Sequence, residues 1–269
     1  GASDFPSIWN QRKRMQRDDG ERMELHWDGN NTHTEERNKS AAFGTGTTPP
    51  TIDLAAIARV EAWLLDLAPP AWPLPIDSVL AARGAAVYAR YCADCHGASG
   101  SDFAGPQVGH VTPIAHIATD PARLDSYTRA LAVNQATLYA GYPHRFRHFR
   151  KTRGYANMPL DGIWLRAPYL HNGSVPTIYQ LLSPQDERAT TFYKGTFEYD
   201  PRHLGYRTEA FTNGFVFDTR ITGNHNSGHE FRAGERGNGV IGRLLLPEER
   251  WSLLEYLKVL GGPLEAQLP

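Results

Sequence analysis

The chain has 269 residues, 41% of them hydrophobic, which is enough for a sizeable apolar core and excludes a disordered polymer. Its 28 basic and 29 acidic side chains leave a formal charge of −1, too balanced for a surface built to hold nucleic acid or an anionic membrane. Apolar runs such as Ala62-Trp63-Leu64-Leu65 break off within a few positions, far short of the ~20 residues that span a bilayer.

The sequence begins at Gly1 without Met and shows no basic-then-apolar leader, as expected of a processed, engineered or partial chain. Residues 1–50 are polar and turn-rich, with charge clusters at Arg12-Lys13-Arg14 and Asp18-Asp19, and hold little that forms a core alone. Thr32-x-x-Glu35 reads as a capping box for a short helix to about Ala42. A second helix is expected from Thr51 to Leu67, with Ile57, Val60, Leu64 and Leu67 turned inward, before Pro69-Pro70 ends it. These features predict that residues 1–70 form a wrapping or linking segment with two short helices, and that residues 71–269 form the main domain.

Asp77 is placed to cap a helix running to about Tyr91, with Leu80, Gly84, Val87, Tyr88 and Tyr91 on one stripe. It leads into Cys92-Ala93-Asp94-Cys95-His96, which uses both cysteines of the chain. Cys-x-x-Cys-His is the spacing for covalent c-type haem attachment. Two thiols one helical turn apart can each add to a vinyl group of one porphyrin, while the next residue turns its imidazole onto the iron. A zinc site needs two further close ligands, and a redox dithiol wants a strand-to-helix turn; neither context surrounds these cysteines.

Beyond the motif, Asp120-Pro121 predicts a helix toward Tyr139, and Ser174-x-Pro176 a short one to Leu182. The basic aromatic stretch His144–Lys151 reads as a solvated loop or a docking face for an acidic partner. Between Arg188 and Arg243 the chain is rich in Gly, Asn, Thr and aromatics, so long ordered loops are expected, with Phe215-Val216-Phe217 as a strand. The last helix runs from Pro247 to Leu260, with Leu253, Leu254, Leu257 and Leu260 on its apolar face. Candidates for a second iron ligand are Met158, 62 positions after His96, and His225 or His229 in a glycine-punctuated loop.

The segment Pro159-Leu160-Asp161-Gly162-Ile163-Trp164-Leu165-Arg166-Ala167-Pro168-Tyr169-Leu170-His171-Asn172-Gly173-Ser174-Val175-Pro176-Thr177 resembles a block found in bacterial di-haem cytochrome c peroxidase relatives, especially rubber-oxygenase-like cytochromes. The likeness continues through Phe192-Tyr193, Gly205-Tyr206, Phe217-Asp218-Thr219 and Gly228-His229-Glu230-Phe231 to Leu254-Glu255-Tyr256-Leu257. Upstream, Leu25-His26-Trp27-Asp28-Gly29-Asn30 resembles the family's link between two haem domains, so coverage runs over residues 25–260. The resemblance implies a haem ligand from Gly-His-Glu-Phe, which is His229 here and is preferred to Met158. The helix at Gly84 and Tyr88 also resembles the first of two crossing helices in class I c-type cytochromes, meeting Tyr256 and Leu257. Gly105-Pro106 resembles the turn whose Pro carbonyl accepts the proximal imidazole proton, which makes Pro106 a cofactor-binding candidate. Trp164, Arg166 and Tyr169 are candidates for contacts with the haem propionates, and His171 reads as a turn anchor.

The family's first Cys-x-x-Cys-His motif, which serves its reactive haem, has no counterpart here. The resulting expectation is a mainly α, class I cytochrome c-like helical haem domain with long ordered loops and little strand. It would carry one haem c on Cys92 and Cys95, and act as a periplasmic or extracellular electron relay with a redox partner or a separate upstream haem domain. A haem peroxidase or oxygenase, or an electron-transfer fragment of one, is the alternative. An assembly subunit whose haem only wires a larger complex is a third reading.

Overall fold

The computed structural model describes residues 3–17 and 19–268, so Gly1 and Asp18 of the sequence patterns above lie outside the described residues. In chain order come a 3-10 turn at Gln11–Met15, α1 (Thr34–Gly44), α2 (Leu54–Leu64), α3 (Ser78–Tyr91) and α4 (Ala93–His96). Next are β1 (Val111–Pro113), α5 (Ile114–Ile117), α6 (Ala122–Ser126), α7 (Arg129–Leu138), β2 (Gly154–Ala156), a 3-10 turn at Ile163–Leu165 and α8 (Ile178–Leu181). The chain ends with β3 (Thr191–Lys194), β4 (Tyr199–Asp200), β5 (Gly205–Tyr206), β6 (Phe215–Asp218), β7 (Glu230–Phe231), β8 (Val240–Gly242), α9 (Pro247–Val259) and a last short turn. The strands pair two by two: β1 with β2, β3 with β6 and β4 with β5 antiparallel, β7 with β8 parallel.

Helix makes up 34% of the chain and strand 10%, so the mainly α, class I cytochrome c-like helical domain expected from sequence is overturned. Local competition explains much of the shortfall. The helix expected from Asp120 to Tyr139 breaks in two, because the Ser126 hydroxyl turns back to the Arg123 carbonyl and Thr128 caps a new start at Leu131 N–H. The first helix starts one residue late: Asn31 Oδ1 takes the His33 N–H, and Thr32 bonds the His33 ring rather than capping. The second is capped by Asp53 and shortened to Leu54–Leu64, and Val60, expected inward, is exposed. Phe215–Asp218 does form a strand, in register against Thr191–Lys194.

The crossing of α3 and α9 is the main helix–helix packing. Asp77 caps α3 at Leu80 N–H, and Gly84, Ala81 and Tyr88 are its buried face. At Gly84 the two backbones touch: a Cβ there would lie 1.9 Å from the Ser252 carbonyl oxygen. Tyr88 meets Tyr256 edge-on at 5.2 Å, next to Leu253, Leu254 and Leu257. Trp72 and Trp164 add an edge-to-face pair at 5.1 Å on the same core.

Loops outside this crossing are fixed by buried charge. Arg14 and Asp161, both buried, pair at 2.8 Å and tie the N-terminal segment to the core, and Asn10 donates to the other Asp161 oxygen. Glu36, at the start of α1, accepts the Arg147 and His148 N–H groups and the His148 ring, while Glu24 pairs with Arg150. Thus the basic stretch His144–Lys151 is stitched down by acids, with Phe146 buried beneath it. Among the described residues no helix is long and apolar enough to cross a membrane.

Because α3 and α9 cannot separate without exposing this core, Gly84→Ala should lower the unfolding free energy by about 1–3 kcal/mol or more, the range for overpacked contacts. Urea unfolding checks this, and a wild-type midpoint would contradict the close crossing.

Candidate functional site

A cavity of about 680 Å³ opens beside the α3–α9 crossing, in the size range of cofactor sites. Tyr91, Cys92, Cys95 and His96 enter it from α3 and α4, Leu253 and Leu257 from α9, and Phe231 and Val240 from the β7–β8 pair. The opposite wall comes from Tyr155, Met158, Arg166, Tyr169 and His171. Of the residues singled out in the sequence, Cys92, Cys95, His96, Pro106, Met158, Arg166, Tyr169 and His229 line this one cavity. Trp164 does not; it packs on Trp72, and its carbonyl accepts the Tyr199 hydroxyl at 2.5 Å.

His96 is oriented by a single bond. Its Nδ1 lies 2.7 Å from the Met158 carbonyl, and a carbonyl only accepts, so Nδ1 carries the proton and Nε2 keeps a bare lone pair. This corrects the expectation for Pro106: it lines the cavity, but the carbonyl that meets the imidazole belongs to Met158. Burial pushes the His96 pKa down to about 4, against a smaller upward pull from this bond, so the ring is neutral at physiological pH. Both cysteines are free thiols, and burial raises both, Cys92 to about 12.

His229 faces His96 across the cavity. Their ring centres are 6.1 Å apart and tilted by 55°. Two imidazoles sharing one metal, each at a bond of roughly 2 Å, place their centres about this far apart. His229 Nδ1 is buried without a hydrogen-bond partner, and among the described residues neither ring's Nε2 has one. A buried imidazole with nothing on its nitrogens is costly unless another group takes a lone pair. Burial, then the field of His96, lowers the His229 pKa to about 3, so it too is neutral.

Backbone geometry sets His229 in place. Gly228 has φ +75°, and a Cβ there would come within 2.3 Å of the Ile117 carbonyl, so only glycine passes. His229 itself adopts φ 49° and donates its N–H to that same carbonyl at 3.1 Å. Arg188, buried, completes the mount: its guanidinium donates to the carbonyls of Leu181, Ser183, Asn226, Gly228 and His229. Sequence reasoning missed Arg188, because nothing local marks an arginine whose acceptors are all backbone. It also missed Tyr155, which stacks on His171 at 4.1 Å and donates to the Asp120 carbonyl. Candidate His225 lies elsewhere, its ring 3.1 Å from Asp120.

Residues 154–193 match the family model described as RoxA-like, cytochrome c-like. The chain is also similar to two proteins of Sinorhizobium fredii (strain NBRC 101917 / NGR234), uncharacterized proteins y4iJ and y4iM. Identity is 38% over 248 aligned residues with y4iJ, covering 72% of this chain and 41% of the relative. With y4iM it is 31% over 301, covering 95% and 64%. The chain therefore spans less than two thirds of the length of either relative. The family match supports a place among RoxA-like cytochromes and implies a c-type haem cofactor and a cytochrome-related function. The cavity fits such a group: a thiol pair one turn apart, two neutral facing imidazoles and apolar walls surround a space of cofactor size.

Removing the Arg188 guanidinium strands several buried carbonyls, each worth about 1–3 kcal/mol when unpaired. Arg188→Met should therefore lower stability by roughly 3 kcal/mol or more, with Arg188→Lys recovering part of it. Guanidinium chloride unfolding of both variants measures this.

Proposed function

We propose that the chain is a periplasmic or extracellular mono-haem c-type cytochrome that relays single electrons through a six-coordinate haem. The facing pair of neutral imidazoles carries this reading. Bound in the cavity, the haem supplies a ferric/ferrous couple that gives or takes one electron at a time.

The protein's own residues do the rest. The Cys92 and Cys95 thiols, kept protonated by burial, would hold the haem covalently through its two vinyl groups. His96 would offer Nε2 to the iron, and the Met158 carbonyl fixes the angle of its ring and raises its basicity. His229 would hold the iron from across the cavity, and with both imidazoles engaged the metal would have no site open to peroxide or oxygen. The Met158 carbonyl is engaged by His96 Nδ1, whereas His229 sets a free imidazole 6.1 Å from the His96 ring, which favours His229 over Met158. Two imidazoles in place of imidazole and thioether hold the potential lower, since a thioether stabilises ferrous iron. Arg166 would be the cationic contact for a propionate, with Tyr169 also lining the cavity.

In this reading residues 71–269 are the haem-bearing domain and residues 1–70 its wrapping segment. Electrons pass to a redox partner protein or a separate upstream haem domain near Cys95, where the exposed side chains of Arg236 and Asp94 approach each other. Covalent haem attachment outside the bacterial cytoplasm sets the compartment.

Ferric absorption and electron paramagnetic resonance spectra of the haem-loaded chain test the ligand set. The wild type should be low-spin, His229→Ala should turn high-spin, and Met158→Ala should stay low-spin. A high-spin wild type that reacts rapidly with peroxide would replace the relay with a peroxidase-like enzyme.

A further inference from the structure

The N-terminal segment crosses the cavity edge in a way that iron ligation does not explain. Asp4 N–H donates to the His171 carbonyl at 2.7 Å, and the Trp27 indole donates to the Asp4 carbonyl at 2.9 Å, so the backbone at residue 4 is pinned to the wall. The Asp4 side chain lines the cavity along with Arg166.

Arg166 is partly buried and lines the cavity. It makes one long bond to the Pro159 carbonyl at 3.3 Å, and its Nε is buried without a partner. Lys194, on β3, lies behind Pro168 and Gly173, with its ammonium 3.7 Å over the Phe217 ring. Among the described residues neither cation has a carboxylate within ion-pair distance. Asp4 and Arg166 line one cavity without pairing, and a cation left so is completed by an anion in that cavity, which the propionates of a haem would supply.

We propose that Asp4, which lines the cavity together with Arg166 and is pinned there by its backbone, is the proton-exchanging group of the cavity, taking up a proton when the haem gains an electron and releasing it when the electron leaves. The inference rests on the haem reading above. The charge balance is simple: ferric iron carries one more positive charge than ferrous iron, so reduction strengthens the hold of a nearby carboxyl on its proton. The electron comes from the redox partner and the proton from solvent at the cavity mouth, beside the exposed Phe5.

Burial already sets this carboxyl near neutrality, at about 6, with Lys194 and Arg166 pulling it down and the Phe5 N–H bonding its charged form. The cations whose fields reach it are Lys194 from β3 and Arg166 from the segment after the Ile163–Leu165 turn, and Arg166 in turn lies in the fields of Asp161 and Arg14. Lys194 is lowered to about 8 by burial and remains the cation through the range where Asp4 titrates.

Spectropotentiometric titration of the haem-loaded chain from pH 5 to pH 8 tests the proposal. The ferric-to-ferrous ratio at fixed potential should rise on the order of tenfold as pH climbs through the Asp4 range, the effect of one charge on another across a cavity at moderate dielectric. Asp4→Asn should flatten the dependence to less than about twofold. Lys194→Met should keep it but move its midpoint to higher pH, because a cation that favours the charged carboxyl is gone. A flat wild type, or an Asp4→Asn variant that titrates like wild type, overturns this proposal alone and leaves the ligand assignment intact. A chain that carries no haem overturns both.

Discussion

Holding two neutral imidazoles across from each other inside an apolar cavity is the constraint around which the rest of the structure is arranged. His96 and His229 come from distant parts of the chain and neither belongs to a long helix, so nothing local fixes the distance between them. One is aimed by the Met158 carbonyl, delivered at the end of β2. The other stands on a glycine that alone tolerates the approach of the Ile117 carbonyl, braced by Arg188. Each mount ends on backbone, a carbonyl held by the His96 ring, the His229 N–H or the Arg188 guanidinium, which moves less than a flexible side chain and keeps the 6.1 Å gap defined.

That requirement also explains why so much of the chain is loop. A helix satisfies its own backbone and leaves little to grip a neighbour, whereas an ordered loop offers free carbonyls and N–H groups. Arg188 collects five such carbonyls, and Asp120 accepts the Gly223 and His225 N–H groups. The buried Arg14–Asp161 pair does the same between the N-terminal segment and the core. Buried charges of this kind cost desolvation, and they hold the loops in one arrangement because removing either partner costs more.

Sequence made the chemistry more legible than the fold. Cys92, Cys95 and His96 stand out because their meaning lies in a spacing of five residues, whereas the Gly84 crossing came through the likeness to class I c-type cytochromes. His229 was reached through the glycines around it and the family likeness. The helical class was not legible, since Thr128, Ser126 and Asn31 redirect the backbone through bonds that periodicity does not register. Pro106 was credited with a role that Met158 fills, because a turn seen in sequence does not say which carbonyl reaches a distant ring. Arg188, Asp4 and Lys194 were invisible for the same reason: their partners are remote backbone or a cavity.

The account as a whole depends on the tether at Cys92 and Cys95. Mass spectrometry of the intact, denatured chain, produced in a host that exports and matures c-type cytochromes, measures it directly. The account predicts a single species heavier than the polypeptide by one haem, with the added mass confined to the peptide containing Cys92 and Cys95. A chain at the unmodified polypeptide mass, from preparations in which a known c-type cytochrome is fully matured, would contradict it.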